Sequence, residues 1–149
     1  MILSGLGVKK DPERAIRILE KSAKEGNPFA HAFLGIHFRG DGKNEENADR
    51  AYSHLKFAAD NFNAGAMLNL GVFHIMTSGK YQNKKRGVEL LEAVARRGNL
   101  SAAFFLGRYY EEGHYLPKDE KKMTFWYCRF GAEGKHRLEA YFGHEVECE

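Results

Sequence analysis

Ala30-His31-Ala32-Phe33-Leu34-Gly35 returns as Ala66-Met67-Leu68-Asn69-Leu70-Gly71 and again as Ala102-Ala103-Phe104-Phe105-Leu106-Gly107. The interval is 36 residues both times (70−34 and 106−70), and a third step lands on Phe142-Gly143. The same lattice aligns Ala23, Ala59 and Ala95; Gly26, Gly98 and Gly134; and Asp11, Asn47, Asn83 and Asp119. A fixed period of this length is the mark of a stacked repeat.

Working outward, apolar residues recur at helical spacing on both sides of each glycine, as in Ala51, Leu55, Ala58 and Ala59, or Val88, Leu91, Val94 and Ala95. Each period therefore holds two helices. Helix B starts near the Asp or Asn column, where such side chains cap a first turn, and stops at Gly26, Gly98 or Gly134, in the left-handed position after a helix. Helix A follows at once and carries the Leu-Gly pair. The spacing predicts helices over 11–25, 28–39, 46–61, 64–76, 85–97, 100–112, 118–133 and 135–146. Such pairs bury their apolar faces only by stacking, which makes the chain an all-α solenoid of antiparallel helix pairs with about eight helices. Gly35, Gly71 and Gly107 lie inside a helix, where glycine costs about 1 kcal/mol against alanine. Their recurrence predicts a neighbouring helix backbone passing close over them.

Composition agrees with one folded unit. The chain has 149 residues, 43% of them hydrophobic, and 23 Lys and Arg against 20 Asp and Glu, for a net charge of +3. That balance excludes a disordered tail and a polybasic arm. No segment is long and apolar enough to cross a membrane, and no basic n-region precedes an apolar stretch at the start. The expected compartment is the cytoplasm or a periplasm. Cys128 and Cys148 are the only cysteines. If both sit on helices flanking a turn near Gly134, they lie about 8 and 20 Å from it at 1.5 Å per residue, too far apart to bridge, so free thiols are expected.

The motifs Ala-x-x-x-Leu-Gly-x-x-(Tyr/Phe), carried by Ala30, Leu34, Gly35 and Phe38, and Gly-x-Gly-Val-x-x-Asp-x-x-x-Ala, carried by Gly5, Gly7, Val8, Asp11 and Ala15, resemble the Sel1-like repeat family, relatives of tetratricopeptide repeats. Ala58-Ala59 matches the helix-B ending, with Phe62 in the column that Gly26 fills, and Trp126 holds an aromatic helix-B position. The 36-residue interval favours Sel1-like over tetratricopeptide repeats. The resemblance implies a right-handed superhelix and a non-catalytic protein-binding adaptor, most often bacterial. It divides the chain into a partial unit 1–26, repeats 27–62, 63–98 and 99–134, and a half repeat 135–149. Ile2 falls on the Phe38 column, so the chain is expected to be a fragment of a longer solenoid, or else to have its first helix B covered by an oligomer partner.

In this architecture helix A lines the concave surface. The column before Leu34 holds Phe33, Asn69, Phe105 and Tyr141; one turn later stand His37, Phe73, Tyr109 and Glu145, with Arg108 in the column of Ile36 and Val72. Residues four apart share a helix face, so Phe33, His37, Asn69, Phe73, Phe105, Arg108, Tyr109 and Tyr141 are the candidate partner-binding residues, to be read either as an aromatic stripe for a protein or peptide or as packing between helices. An immunity protein blocking a toxin through the same surface is an alternative. A nucleic-acid binder is a second, opposed by the lack of basic and amide columns on helix A.

Nothing points to catalysis, a cofactor or a metal. His144-Glu145-Val146-Glu147-Cys148 matches only the first half of a His-Glu-x-x-His zinc motif, and His31 and His37 point to different faces. Gly5-Leu6-Gly7 and Gly40-Asp41-Gly42 lack the Gly-Lys-Ser/Thr of a phosphate loop. Lys84-Lys85-Arg86, Arg96-Arg97 and Lys118 with Lys121-Lys122 read as a solvated convex face. Asn99-Leu100-Ser101 is a formal glycosylation sequon.

Overall fold

The computed structural model describes residues 11–40 and 44–149. The expectations for Ile2, Gly5, Gly7, Val8, Asp41 and Gly42 therefore lie outside the described residues. Eight α-helices follow one another: α1 (Pro12–Lys24), α2 (Pro28–Arg39), α3 (Glu45–Asp60), α4 (Ala64–Met76), α5 (Lys84–Arg96), α6 (Leu100–Glu112), α7 (Glu120–Phe130) and α8 (Ala132–Phe142), with a 3-10 turn at Gly79–Tyr81 and no strand among the described residues. The closest contacts run within the pairs α2–α3, α4–α5 and α6–α7, and weaker ones link each pair to the next. This is the stacked helical hairpin array that the 36-residue period predicts.

The caps explain the helix starts. Asp11, Asn83 and Asp119 accept the amide hydrogens of Arg14, Arg86 and Lys122 and so open α1, α5 and α7. Asn47, the fourth member of that column, sits inside α3, which opens a turn earlier on Asn44. A second column, Asn27, Asn63 and Asn99, opens α2, α4 and α6: Asn27 accepts from Phe29 and Ala30, Asn63 from Ala66, and Asn99 from Ala102. Asn99, the sequon residue, is thus a cap.

The helix-A glycines set the distance between partners. A Cβ on Gly35 would lie 2.6 Å from Leu55 Cγ, one on Gly71 would lie 2.9 Å from the Gly87 carbonyl oxygen and 3.0 Å from Leu91 Cγ, and one on Gly107 would lie 2.6 Å from the Tyr127 ring. Each glycine therefore meets the residue 20 positions later (55−35, 91−71, 127−107). Glycine in mid-helix is tolerated because the opposing helix fills the space where a side chain would stand. Ala30, Ala66 and Ala102, one turn earlier, are buried on the same face.

Between α1 and α2 and between α5 and α6 the turn uses Gly26 and Gly98 with φ of +84° and +94°. Phe62 takes the equivalent place after α3 at φ +60°, a left-handed conformation that costs a side chain with a Cβ.

Three expectations at the C-terminal end are corrected. Gly134 is not a left-handed turn residue; it lies inside α8, where a Cβ would come 1.9 Å from the Tyr127 carbonyl oxygen. The turn falls on Gly131, φ +100°, so α7 stops earlier than the lattice suggests and α8 both starts and stops earlier. Gly143 is not a close-packing glycine like Gly107 but the left-handed cap of α8, φ +74°. Because α8 ends there, the chain doubles back. Cys148 comes to a Cα–Cα distance of 5.4 Å from Cys128 on α7 and forms a disulfide with it, in place of the expected free thiols. Val146 packs beside that bridge into the core cluster with Trp126 and Leu138.

The loop after α4, which lacks the repeat's glycine pattern, is remodelled into a clasp. Tyr81 stacks on Tyr52 of α3 at 4.5 Å, its hydroxyl donates to Asp49, and its carbonyl accepts from His74 Nδ1 at 2.7 Å. Lys80 pairs with Asp49 at 2.7 Å. The Lys80 and Tyr81 hydrogen bonds hold the Asp49 carboxyl below its usual range.

Candidate partner-binding groove

The eight candidate residues divide by depth. Phe33, on α2, is 61% exposed, and His37 is exposed with its ring edge-on to Phe38 at 5.2 Å. Asn69 is half-buried and donates its amide to the Gly65 carbonyl at 2.8 Å, a bond within its own helix. Phe105 is half-buried and stacks on Tyr109 at 6.1 Å. Tyr141, also half-buried, donates to Glu120 Oε1 at 3.1 Å under the ammonium of Lys118, which stands 5.4 Å from its ring centre.

Phe73 and Tyr109 are core residues, 3% and 5% exposed, so the second aromatic row is not a surface row. The reason is the loop behind each: Tyr81 folds back to within 5.7 Å of the Phe73 ring, and Tyr115 meets Tyr109 edge-on at 5.9 Å. Burial pushes the Tyr109 hydroxyl up to about 12, and that oxygen has no hydrogen-bond partner.

Between α6 and α8, successive helices A, lies an open cleft of 310 Å³ lined by Glu111, Arg137, Ala140 and Tyr141. Its floor is polar. Glu111 accepts from the Tyr127 hydroxyl and from Arg137 Nη2 at 3.0 Å, while the Arg137 guanidinium lies 5.4 Å from the Tyr127 ring and 5.7 Å from Phe104. Burial works to raise the Glu111 carboxyl, but the two donors outweigh it and the net shift is downward. Burial and the bond to Glu111 push the Tyr127 hydroxyl well above its usual range. Arg108, one turn before Glu112, binds that carboxylate and leans toward the Phe104 ring at 6.0 Å.

Arg108 and Tyr141 were expected at a binding surface; Glu111, Tyr127 and Arg137 were not. A signal for them existed. Tyr127 stands in the column of Leu19, Leu55 and Leu91, Arg137 in that of Phe29, Gly65 and Ser101, and Glu111 in that of Arg39 and Ile75. Each departs from an apolar, small or oppositely charged column, and the three departures meet at one place.

A second polar cluster joins the first repeats. His31 Nε2 donates to the Ala23 carbonyl at 3.0 Å, which leaves its Nδ1 to accept from His54 Nδ1 at 2.8 Å. Burial, then the nearby His31, pushes His54 down. Among the described residues no group of three or more His, Cys, Asp or Glu side chains could hold a metal ion.

The family model for the Sel1 repeat matches residues 1–27, 28–61, 64–99 and 100–136. The chain belongs to the Sel1 repeat family. Over 99 residues it is 31% identical to mouse DAP3-binding cell death enhancer 1, an alignment covering 65% of this chain and 19% of the mouse protein. The crystal structure of a protective antigen from uropathogenic Escherichia coli, described as an SLR fold, superposes with a TM-score of 0.71 at 26% identity, covering 97% of this chain and 32% of that one. A Sel1 repeat protein from Oxalobacter formigenes superposes with a TM-score of 0.64 at 21% identity over 89% of this chain and 98% of its own, a likeness of fold. The chain thus spans about a fifth of the curated mouse relative and a third of the E. coli antigen. Sel1 repeats are typically non-catalytic scaffolds for protein interaction.

Proposed function

We propose that this Sel1 repeat unit is an adaptor that grips a segment of a partner protein along its helix-A face, with the α6–α8 cleft as the anchoring point. The carrying observation is the Glu111–Arg137–Tyr127 cluster at the base of an open cleft that Tyr141 also lines. A polar floor fixed by its own hydrogen bonds is preorganised, so a partner does not have to order it on docking. Aromatic side chains and arginine are the residue types that carry most binding energy at interfaces. Phe33 and His37, exposed on α2, extend the same face toward the N-terminal repeats.

The Cys128–Cys148 bridge adds a statement about place. A disulfide persists in an oxidising compartment and is rare in a reducing cytosol. The periplasm or an extracellular setting therefore suits this chain better than the cytoplasm.

The test is affinity capture from the source cells with wild type beside a Phe33→Ala/Tyr141→Ala variant and a Phe62→Gly control outside the groove. A protein retained by wild type and control but lost from the groove variant supports the reading. Equal retention by all three, or recovery of nucleic acid alone, refutes it.

A further inference from the structure

Stacking antiparallel hairpins brings every turn from a helix B to the following helix A onto one edge of the solenoid: Glu25–Asn27, Asn61–Asn63, Arg97–Asn99 and Gly131. That edge carries five cations, Lys21, Lys24, Arg96, Arg97 and Arg129, and none of them is in an ion pair among the described residues. Of the carboxylates there, Asp60 is bound by Lys56 at 2.6 Å, which leaves Glu20, Glu25 and Glu133. The other edge also carries cations outside ion pairs, Lys84, Lys85, Lys121 and Lys122 among them, but there they stand among carboxylates, with Arg50 paired to Glu46, Lys80 to Asp49, Arg108 to Glu112 and Arg137 to Glu111.

The same edge holds large apolar side chains in water. Phe62 is 79% exposed, Phe29 in the first turn of α2 is 68% exposed, and Leu100 at the start of α6 is 54% exposed. Phe57, in the last turn of α3, is also exposed, with its ring 4.0 Å from that of His31. Phe62 is held there against its backbone preference, at φ +60°, where the matching turns use Gly26 and Gly98 with open space around them. A strained residue presenting a bulky ring to solvent is an observation from which function is properly sought.

We propose that this turn edge docks on an anionic lipid surface, with the rings of Phe62, Phe29 and Leu100's side chain entering the headgroup boundary while the unpaired lysines and arginines face the lipid phosphates and carboxylates. The choice of a bilayer over an acidic protein rests on shape and charge together. The apolar groups project from successive turns instead of lining a cleft, and a row of protruding apolar side chains interleaved with cations is the composition that lies in a membrane interface. This is peripheral association: none of the described helices is long and apolar enough to cross a membrane. The surface is separate from the α6–α8 groove.

The probe is a sucrose-loaded vesicle of phosphatidylcholine with phosphatidylserine, beside one of phosphatidylcholine alone, in a sedimentation assay. Wild type is expected to sediment with the serine-lipid vesicles and not with the neutral ones, and to be released by salt. Phe62→Gly should weaken binding about fivefold with its melting temperature kept or raised, and Lys24→Glu/Arg97→Glu, two exposed positions, should weaken it at least about tenfold. Tyr141→Ala, in the groove, should leave it unchanged. Failure of wild type to bind the anionic vesicles overturns the proposal. So does binding that ignores Phe62, or polyglutamate bound as tightly as the vesicles and independently of Phe62, which would make the edge a site for acidic polypeptides.

Discussion

At the scale of single residues, the glycines of this chain separate into two kinds with opposite responses to substitution. Alanine in mid-helix is usually better than glycine by about 1 kcal/mol, yet Gly107→Ala and Gly134→Ala place a Cβ 2.6 Å from the Tyr127 ring and 1.9 Å from its carbonyl oxygen. Both are expected to destabilise by roughly 1–3 kcal/mol through overpacking, measured as a drop in the urea midpoint. Phe62→Gly should do the reverse. It relieves a left-handed conformation worth about 1–2 kcal/mol and gives back about 0.5–1 kcal/mol in chain entropy, for a net gain of about 0.5–1 kcal/mol in the same assay. The sequence columns held the first kind plainly, since Gly35, Gly71 and Gly107 recur at a place where only close approach explains them. They misassigned Gly134 and Gly143, because a lattice of identical spacing says nothing about where the last hairpin tightens by three residues to turn at Gly131.

At the scale of elements, the links between helices carry the predictions. The disulfide closes a loop spanning 20 positions between α7 and the segment after α8. A loop of this size stabilises by about 3 kcal/mol in the chain-entropy account, so reduction or Cys148→Ser should lower the denaturant midpoint by a corresponding amount. This bridge was not legible from spacing, because the estimate that kept the cysteines apart assumed α8 running on to 146; the helix stops at Phe142 and the chain returns. The His31–His54 pair joins the end of α1 to α2 and α3. Since the folded state depresses His54, the unfolded chain takes up the proton more readily. Stability tied to this group is therefore complete above the unfolded value of about 6.5 and declines as pH falls below it. Glu20 opposes the shift, and Arg50 adds to it. Thermal melts at about pH 7.5 and about pH 5.5 should show a fall that is smaller in His54→Gln.

At the scale of the whole molecule, one repeat register both builds the solenoid and distributes its surfaces. Helix A meets helix B through a glycine and the residue 20 positions later, and this leaves the columns on either side to face the groove or the loops. The fold was legible because those columns are redundant. The surface placement of the candidate residues was legible only in part. Phe33 and Tyr141 stand where the columns put them, but Phe73 and Tyr109 are covered by tyrosines from loops that break the repeat pattern, and loops without a pattern cannot be placed by periodicity. The cleft between α6 and α8 arises where three residues depart from their columns, a signal visible only once the two helices are known to be neighbours. The most direct test of the adaptor reading is hydrogen–deuterium exchange of the full chain with and without the partner recovered by capture. Slowed exchange confined to α6 and α8 around Glu111 and Arg137, extending to α2, is predicted; protection on α3, α5 and α7 with the groove unchanged would contradict it.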